Sequence, residues 1–151
     1  MIAVVQRAKN ASVIADGEQA GKCENGLFVL LGVLDGDSEK DAEILAAKVA
    51  KLRIFTDEND KMNLSVTDIS GSALVVSNFT LGADIHKGNR PSFTPAAAPD
   101  VANPLYEYFC EKLFSEGVPT EKGVFGADMK ITFTADGPVT ILMDSKIWVK
   151  A

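Results

Sequence analysis

The chain has 151 residues, 46% hydrophobic, 24% charged and 7% aromatic, which fits one ordinary globular domain and excludes disordered, collagen-like and coiled-coil classes. Fifteen basic against 21 acidic side chains leave a net charge of −6, so a protein gripping long duplex DNA is excluded, whereas a partner touched at a few phosphates is not. The longest apolar run, Leu27 to Leu34, falls far short of the roughly twenty residues of a membrane span, and Met1 to Arg7 lack the basic-then-apolar pattern of a secretion signal. A cytoplasmic protein without a membrane partner is expected.

In chain order, Ile2 to Gln6 and Ala11 to Ala15 are two short β-branched-rich strands, and Asp16-Gly17 is a tight hairpin turn into Glu18 to Cys23. Asn25-Gly26 is a second turn signal. The continuous apolar run Leu27 to Val33 is a strand of the kind buried on both faces. Ser38-Glu39-Lys40-Asp41 is a capping box with Asp in place of Glu, opening a helix whose apolar face is Ala42, Leu45, Val49 and Leu52. Arg53-Ile54-Phe55 is a short strand, and Leu74 to Thr80 is another with a polar end. Gly82 to Pro99 has no periodicity, three prolines and the basic cluster His86-Lys87-Gly88-Asn89-Arg90; a structureless loop of this length is usually functional. Asp100 to Gly117 is helical, with Val101, Leu105, Tyr108 or Phe109, and Leu113 on one face, Pro104 in the first turn and Gly117 as terminator. Met129 to Ala135 and Val139 to Met143 alternate as strands on either side of Asp136-Gly137-Pro138. The expected fold is one α+β domain over residues 1–151 with a mixed, barrel-like sheet and two main helices, residues 145–151 forming a C-terminal extension.

Familiar enzymatic constellations are missing from the sequence. The only histidine is His86, in the loop, and there is no GxSxG elbow, Walker loop or GxGxxG. Cys23 and Cys110, with no CxxC, form no zinc set, so both are expected as buried thiols and no metal or other cofactor is expected. Three polar or backbone-special segments stand out: Ser77-Asn78-Phe79-Thr80-Leu81, Arg90-Pro91-Ser92-Phe93 and Asp136-Gly137-Pro138-Val139-Thr140. Taken singly, they read as a strand end with hydroxyls satisfying a turn, a loop, and a hairpin turn.

Taken together and in order, they resemble the bacterial D-aminoacyl-tRNA deacylase family. The resemblance also covers Ala3 to Arg7, Gly26 to Val33, Leu52 to Phe55, Lys61 to Ser65, Pro104 to Phe109 and Phe125 to Met129, nearly the whole chain. Two positions depart from the family's motifs: Asn78 stands where the family has Gln, and Ala135 where it has Asn. Asn keeps the amide but reaches roughly 1.5 Å less, so slower turnover is expected while backbone contacts survive.

The resemblance implies hydrolysis of the ester between a D-amino acid, or glycine, and the 3′ end of tRNA, with L-aminoacyl esters rejected. It implies that Ser77, Asn78, Phe79 and Thr80 form the catalytic segment, with the backbone N–H groups of Phe79 and Thr80 facing the ester carbonyl and the ribose 2′-hydroxyl assisting. It makes Gly137-Pro138, with a cis peptide bond, the chiral filter, reaching into the partner's site in a homodimer, and Arg7 the brace of that loop. The terminal adenosine would lie near Phe125, Gly126 and Met129, which otherwise read as core, and Lys87 and Arg90 are the phosphate contacts. Two other readings stay open. Thr80 is a nucleophile in an amidase or esterase, or the chain is a tRNA-end-binding paralogue without turnover.

Overall fold

β1 (Ile2–Ala15) and β2 (Glu18–Gly32) form one long antiparallel hairpin, closed by Asp16 and Gly17 at φ of 50° and 82°, the left-handed pair that a two-residue turn requires. The computed structural model describes residues 1–150. After the hairpin come α1 (Glu39–Ala50), β3 (Phe55–Thr56), β4 (Met62–Leu64), β5 (Ser72–Ser77), a 3-10 turn at Phe79–Gly82, α2 (Pro99–Ser115), β6 (Thr120–Lys122), β7 (Met129–Asp144) and a last 3-10 turn at Ser145–Ile147. The main sheet runs β6-β5-β2-β1-β7, antiparallel on both sides of β1 and parallel from β2 through β5 to β6. β3 and β4 pair separately. This is the expected α+β arrangement, one mixed sheet with two helices. Neither helix is long and apolar enough to cross a membrane.

Several elements differ from expectation, each for a physical reason. Asn25-Gly26 is not a turn, because β2 runs straight through it; a Cβ on Gly26 would stand 1.9 Å from the Ser72 carbonyl, so glycine is there to let β5 approach. Asp136-Gly137-Pro138 is not a hairpin turn either, since the residues before and after it pair with the same strand, β1. The two N-terminal strands are one, bent at Asn10 (φ 53°). α2 begins at Pro99, so Pro104 lies inside the helix, and Val101 faces solvent while Ala102, Tyr106 and Cys110 turn inward. The strand expected at Arg53 starts at Phe55.

Both helices pack on one face of the sheet over Ala3, Val5, Leu27, Val29, Leu31 and Val75. α1 starts at the expected capping box, Ser38 with Asp41, and the Tyr106 hydroxyl of α2 donates to the Val75 carbonyl at 2.7 Å. A second cluster fills the opposite face around Val13, Phe28 and Leu74. There Phe28 of β2 stacks on Phe133 of β7 with ring centroids 4.7 Å apart, although β1 lies between them. Adjacent strands are about 4.8 Å apart, so this contact requires the sheet to coil strongly on itself. Burial on both faces explains the unbroken apolar run of β2.

The start and end of the sheet are fastened by a buried polar knot. The Met1 amine donates to the Asp37 carboxylate at 2.7 Å and to Ser145 Oγ at 2.8 Å, while Ser145 Oγ donates to Asp41 at 2.6 Å. Lys146 Nζ lies 3.2 Å from both carboxylates. Burial alone would raise the Asp41 pKa, but hydrogen bonds from Ser145, the Ser38 N–H and Lys146 outweigh it and hold the carboxyl well below the usual range. A depressed folded-state pKa stabilises the fold fully above the unfolded value, about 4, and that stabilisation is lost as pH falls toward the folded value. Ser145→Ala removes a donor from a buried carboxylate, so it is expected to cost about 1–3 kcal/mol in urea unfolding at neutral pH. The gap from the wild type should narrow below about pH 4 as Asp41 takes up its proton.

Candidate active site

The parallel strands β2 and β5 end side by side, and the chain leaves β5 at Ser77 into the 3-10 turn Phe79–Gly82. The turn is tied to the strand end by the Asn78 N–H, which donates to the Leu31 carbonyl at 2.8 Å. Gly32 gives it room, since a Cβ there would stand 2.9 Å from the Leu81 Cβ. The long loop then returns across the strand ends, held by Ala97 N–H to the Val33 carbonyl at 3.0 Å, and α2 begins. Between loop, strand ends, α2 and the start of β7 lies a cavity of about 840 Å³.

All of Ser77, Asn78, Phe79 and Thr80 line this cavity, and so do Phe125, Gly126 and Met129. Two segments some fifty residues apart in sequence are thereby brought to one concave, mainly apolar space, as a ligand site requires. Sequence reasoning missed two of its walls. Tyr106 was legible as helical but not as pocket-lining, and Phe93, in a segment that contributes to the resemblance, was given no role of its own, although its ring meets Phe79 edge-on at 5.2 Å. Helical periodicity along α2 could have found Tyr106, and the Arg90-Pro91-Ser92-Phe93 segment was the signal for Phe93.

The Ser77 to Thr80 segment is held by one of its own side chains. Asn78 Oδ1 accepts from the Thr80 backbone N–H at 3.2 Å and from the Thr80 hydroxyl. The Phe79 N–H has no acceptor among the described residues. Ionisable side chains are scarce here: Tyr106 and Asp128 alone line the cavity. Burial pushes the Tyr106 phenol far above its usual pKa, leaving it a permanent donor to Val75. Asp128 is exposed and paired with Lys130 at 2.9 Å. His86 pairs with Asp84 at 2.6 Å, outside the cavity lining. Both cysteines are buried, and burial pushes the Cys110 thiol up to about 12, so neither is a ready nucleophile. Among the described residues there is no cluster of three metal-ligating side chains.

The remaining sequence candidates lie elsewhere. Lys87 and Arg90 are exposed on the loop between Asp84 and Ser92, whose backbones bond reciprocally at 2.7 and 2.9 Å. Neither has a carboxylate within salt-bridge reach among the described residues. Gly137 and Pro138, joined by a cis peptide bond, are exposed in β7 and do not line the cavity of their own chain. Arg7 lies opposite them and donates from Nε to the Asp136 carbonyl at 3.0 Å.

The model of the family D-Tyr-tRNA(Tyr) deacylase matches residues 4–144. The chain belongs to this family. A D-aminoacyl-tRNA deacylase of Koribacter versatilis is 55% identical over 146 residues, covering 97% of this chain and 98% of that protein. One of Thermosipho africanus is 52% identical over the same coverage of 97% and 98%. Among solved structures, the c-Myc DNA Unwinding Element Binding Protein is similar with a TM-score of 0.88 at 39% identity, covering 95% of this chain and 98% of that one. A probable eukaryotic D-amino acid tRNA deacylase shares the fold, with a TM-score of 0.80 at 20% identity and coverage of 94% and 97%.

In this deacylase-family chain, Gly137 is constrained twice. Its φ is +129°, and a Cβ would stand 2.8 Å from Val139 and 3.2 Å from Arg7 Nη2. Gly137→Ala is expected to destabilise by about 2 kcal/mol or more. Gly36 also has positive φ (+84°) but open space around it, so Gly36→Ala should cost only the backbone contribution. Urea unfolding of the two variants measures the difference.

Proposed function

We propose that this protein hydrolyses the ester joining a D-amino acid, or glycine, to the 3′ end of tRNA and spares L-aminoacyl esters, acting in the cytoplasm as a two-fold symmetric homodimer. Family membership supports the reaction. The observation that carries the mechanism is a backbone donor at Phe79 with no acceptor among the described residues, in a turn that lines a cavity whose walls hold no nucleophile with a base beside it. An aminoacyl ester is already activated, so orientation and stabilisation of the developing oxyanion suffice. Water adds to the ester carbonyl carbon, the oxyanion meets the Phe79 N–H, and the bond to the ribose 3′-oxygen breaks as that oxygen takes a proton, releasing free amino acid and tRNA. The ribose 2′-hydroxyl assists this proton movement. Ser77 and Asn78 hold the segment, and the Phe125, Gly126 and Met129 wall receives the terminal adenosine. Lys87 and Arg90 meet phosphates of the 3′ end; two such contacts give a shallow salt dependence.

In this reading Gly137 and Pro138 of one protomer close the partner's cavity. Their exposure, on an edge strand and away from their own chain's cavity, supports a role across an interface. An isologous dimer then gives two equivalent sites. Backbone carbonyls placed against the substrate's α-carbon exclude an L side chain by clash and leave hydrogen or a D side chain untouched, so the accepted side chain need not be recognised.

Thr80 acting as a nucleophile is disfavoured, because its hydroxyl faces the Asn78 carboxamide oxygen, which takes up no proton at neutral pH. A second reading has specific support: Asn78 occupies the Thr80 N–H, one of two donors the family resemblance implies, which favours a tRNA-end-binding paralogue with little turnover.

One experiment separates these readings: binding and deacylation measured together for matched D- and L-aminoacyl-tRNA, with glycyl-tRNA alongside. Hydrolysis of the D and glycyl esters only is expected; binding without hydrolysis supports the paralogue. Phe79→Pro and Phe79→Ala test the donor. Asn78 is extended (φ −147°, ψ 94°), as a residue before proline must be, and the Phe79 N–H makes no bond in the fold, so proline fits. Phe79→Pro should lower turnover by about 10²–10³-fold. Phe79→Ala and Thr80→Ala keep their N–H groups and should retain measurable deacylation. Loss of activity in a folded Thr80→Ala would return the hydroxyl to the chemistry.

A further inference from the structure

A bulge on an edge strand has no ladder bonds to hold its shape, so something else must aim Gly137 and Pro138. Gln6 pairs with Thr140 and Ala8 with Ala135, which leaves residues 136–139 facing the single residue Arg7. Arg7 follows Met1, Ala3 and Val5 on the helix-covered face, and only 13% of its side chain is exposed. Its guanidinium reaches in two directions. Toward the bulge, Nε donates to the Asp136 carbonyl at 3.0 Å and lies 3.3 Å from the Asp136 carboxylate. Toward the body of the protein, Nη1 donates to the Ile54 carbonyl at 3.0 Å, with Thr56 Oγ1 at 3.4 Å. Ile54 and Phe55 are each 5% exposed and belong to the main core. The far end of the strut is therefore a carbonyl whose position is set by buried side chains, and the near end grips the residue before Gly137.

We propose that Asp136 and the Ile54–Thr56 segment are positioning elements for stereoselectivity. Through Arg7, they fix where the Gly137-Pro138 backbone stands relative to the substrate's α-carbon. This rests on the reading of Gly137-Pro138 as the element that excludes L side chains. The Asp136 carboxylate is the only acidic partner of Arg7 among the described residues, and the Thr56 hydroxyl steadies the opposite end. Neither residue lines the cavity of its own chain. Loosening the strut lets the filter shift without disturbing the Phe79 donor, and a displacement of about 1 Å in a positioning group is enough to change rates by orders of magnitude. Discrimination should therefore fall while turnover of the accepted substrate holds.

The test is the ratio of kcat/KM for D- over L-aminoacyl-tRNA, measured first in the wild type and then in Asp136→Ala, Thr56→Val, Arg7→Ala and the double variant Arg7→Ala with Asp136→Ala. Urea midpoints establish that each is folded. Asp136→Ala is expected to lower the ratio about tenfold through faster hydrolysis of the L ester, with the D rate within about threefold of wild type. Thr56→Val should lower it less. Because Asp136 acts through Arg7, the double variant should show the ratio of Arg7→Ala alone. A ratio unchanged in folded Asp136→Ala, or D and L rates falling together, overturns the proposal while leaving the deacylase reading intact. A wild type that does not prefer D esters overturns that reading and this proposal with it.

Discussion

The organisation of this protein depends on an odd number of residues. Between the pairs Gln6 with Thr140 and Ala8 with Ala135, β1 advances by two positions and β7 by five, so β7 carries three extra residues. Side chains in a strand alternate with period two, so an odd insertion exchanges the faces. Before the bulge, Met129, Ile131 and Phe133 pack into the cluster on the open face; after it, Val139, Ile141 and Met143 pack under the helices. One strand thus contributes to both cores without a break in its own sequence parity. The same insertion pushes Gly137 and Pro138 out of the ladder, where their backbone can meet something other than β1.

The cavity arises from a second constraint, the parallel approach of β5 to β2. Gly26 allows it at one end, where a side chain would strike Ser72, and Gly32 allows the 3-10 turn to fold over the other end. Parallel strands release their chains at the same edge, so the exits of β2 and β5 lie together and the loops that follow must enclose a space. Phe79, whose N–H has no acceptor among the described residues, lines that space just past the exit of β5. The position of the donor is thereby a property of the sheet rather than of the loop.

Much of this was legible in the sequence, and the failures share one cause. Local signals were read correctly where the local chain decides the conformation: the Asp16-Gly17 turn, the Ser38 capping box with Asp41, the doubly buried run of β2 and the two buried thiols. Asn25-Gly26 and Asp136-Gly137-Pro138 were misread as turns because glycine and proline punctuate turns and bulges alike. What distinguishes them is the partner strand, β5 at Gly26 and β1 at the bulge, and both partners are distant in sequence. Val101 was misplaced because strict steps of four drift around a helix of 3.6 residues per turn, and the apolar face follows Ala102, Leu105, Tyr106 and Phe109. The Ser77 to Thr80 and Phe125 to Met129 segments, which line one cavity, were both singled out through the resemblance. The coupling of Arg7 to Ile54 was not, because a backbone carbonyl leaves no trace in residue identity.

Under the proposed mechanism, a cavity so poor in ionisable groups divides its tasks in a definite way. With no side-chain base to supply driving force, the rate depends on where a donor stands and how long the ester stays in line with it. With no pocket required for the amino-acid side chain in that proposal, selection depends on where a carbonyl stands relative to one hydrogen. Both are questions of backbone placement, and each backbone is set by a separate part of the fold: the donor by the exit of β5, the Gly137-Pro138 bulge by β1 and Arg7. On this reading, substitutions act on rate or on selectivity according to which strand they disturb. Asn78 belongs to the first group, since its side chain grips Thr80 and its N–H grips Leu31. Ala135 belongs to the second, as the last residue paired to β1 before the bulge begins.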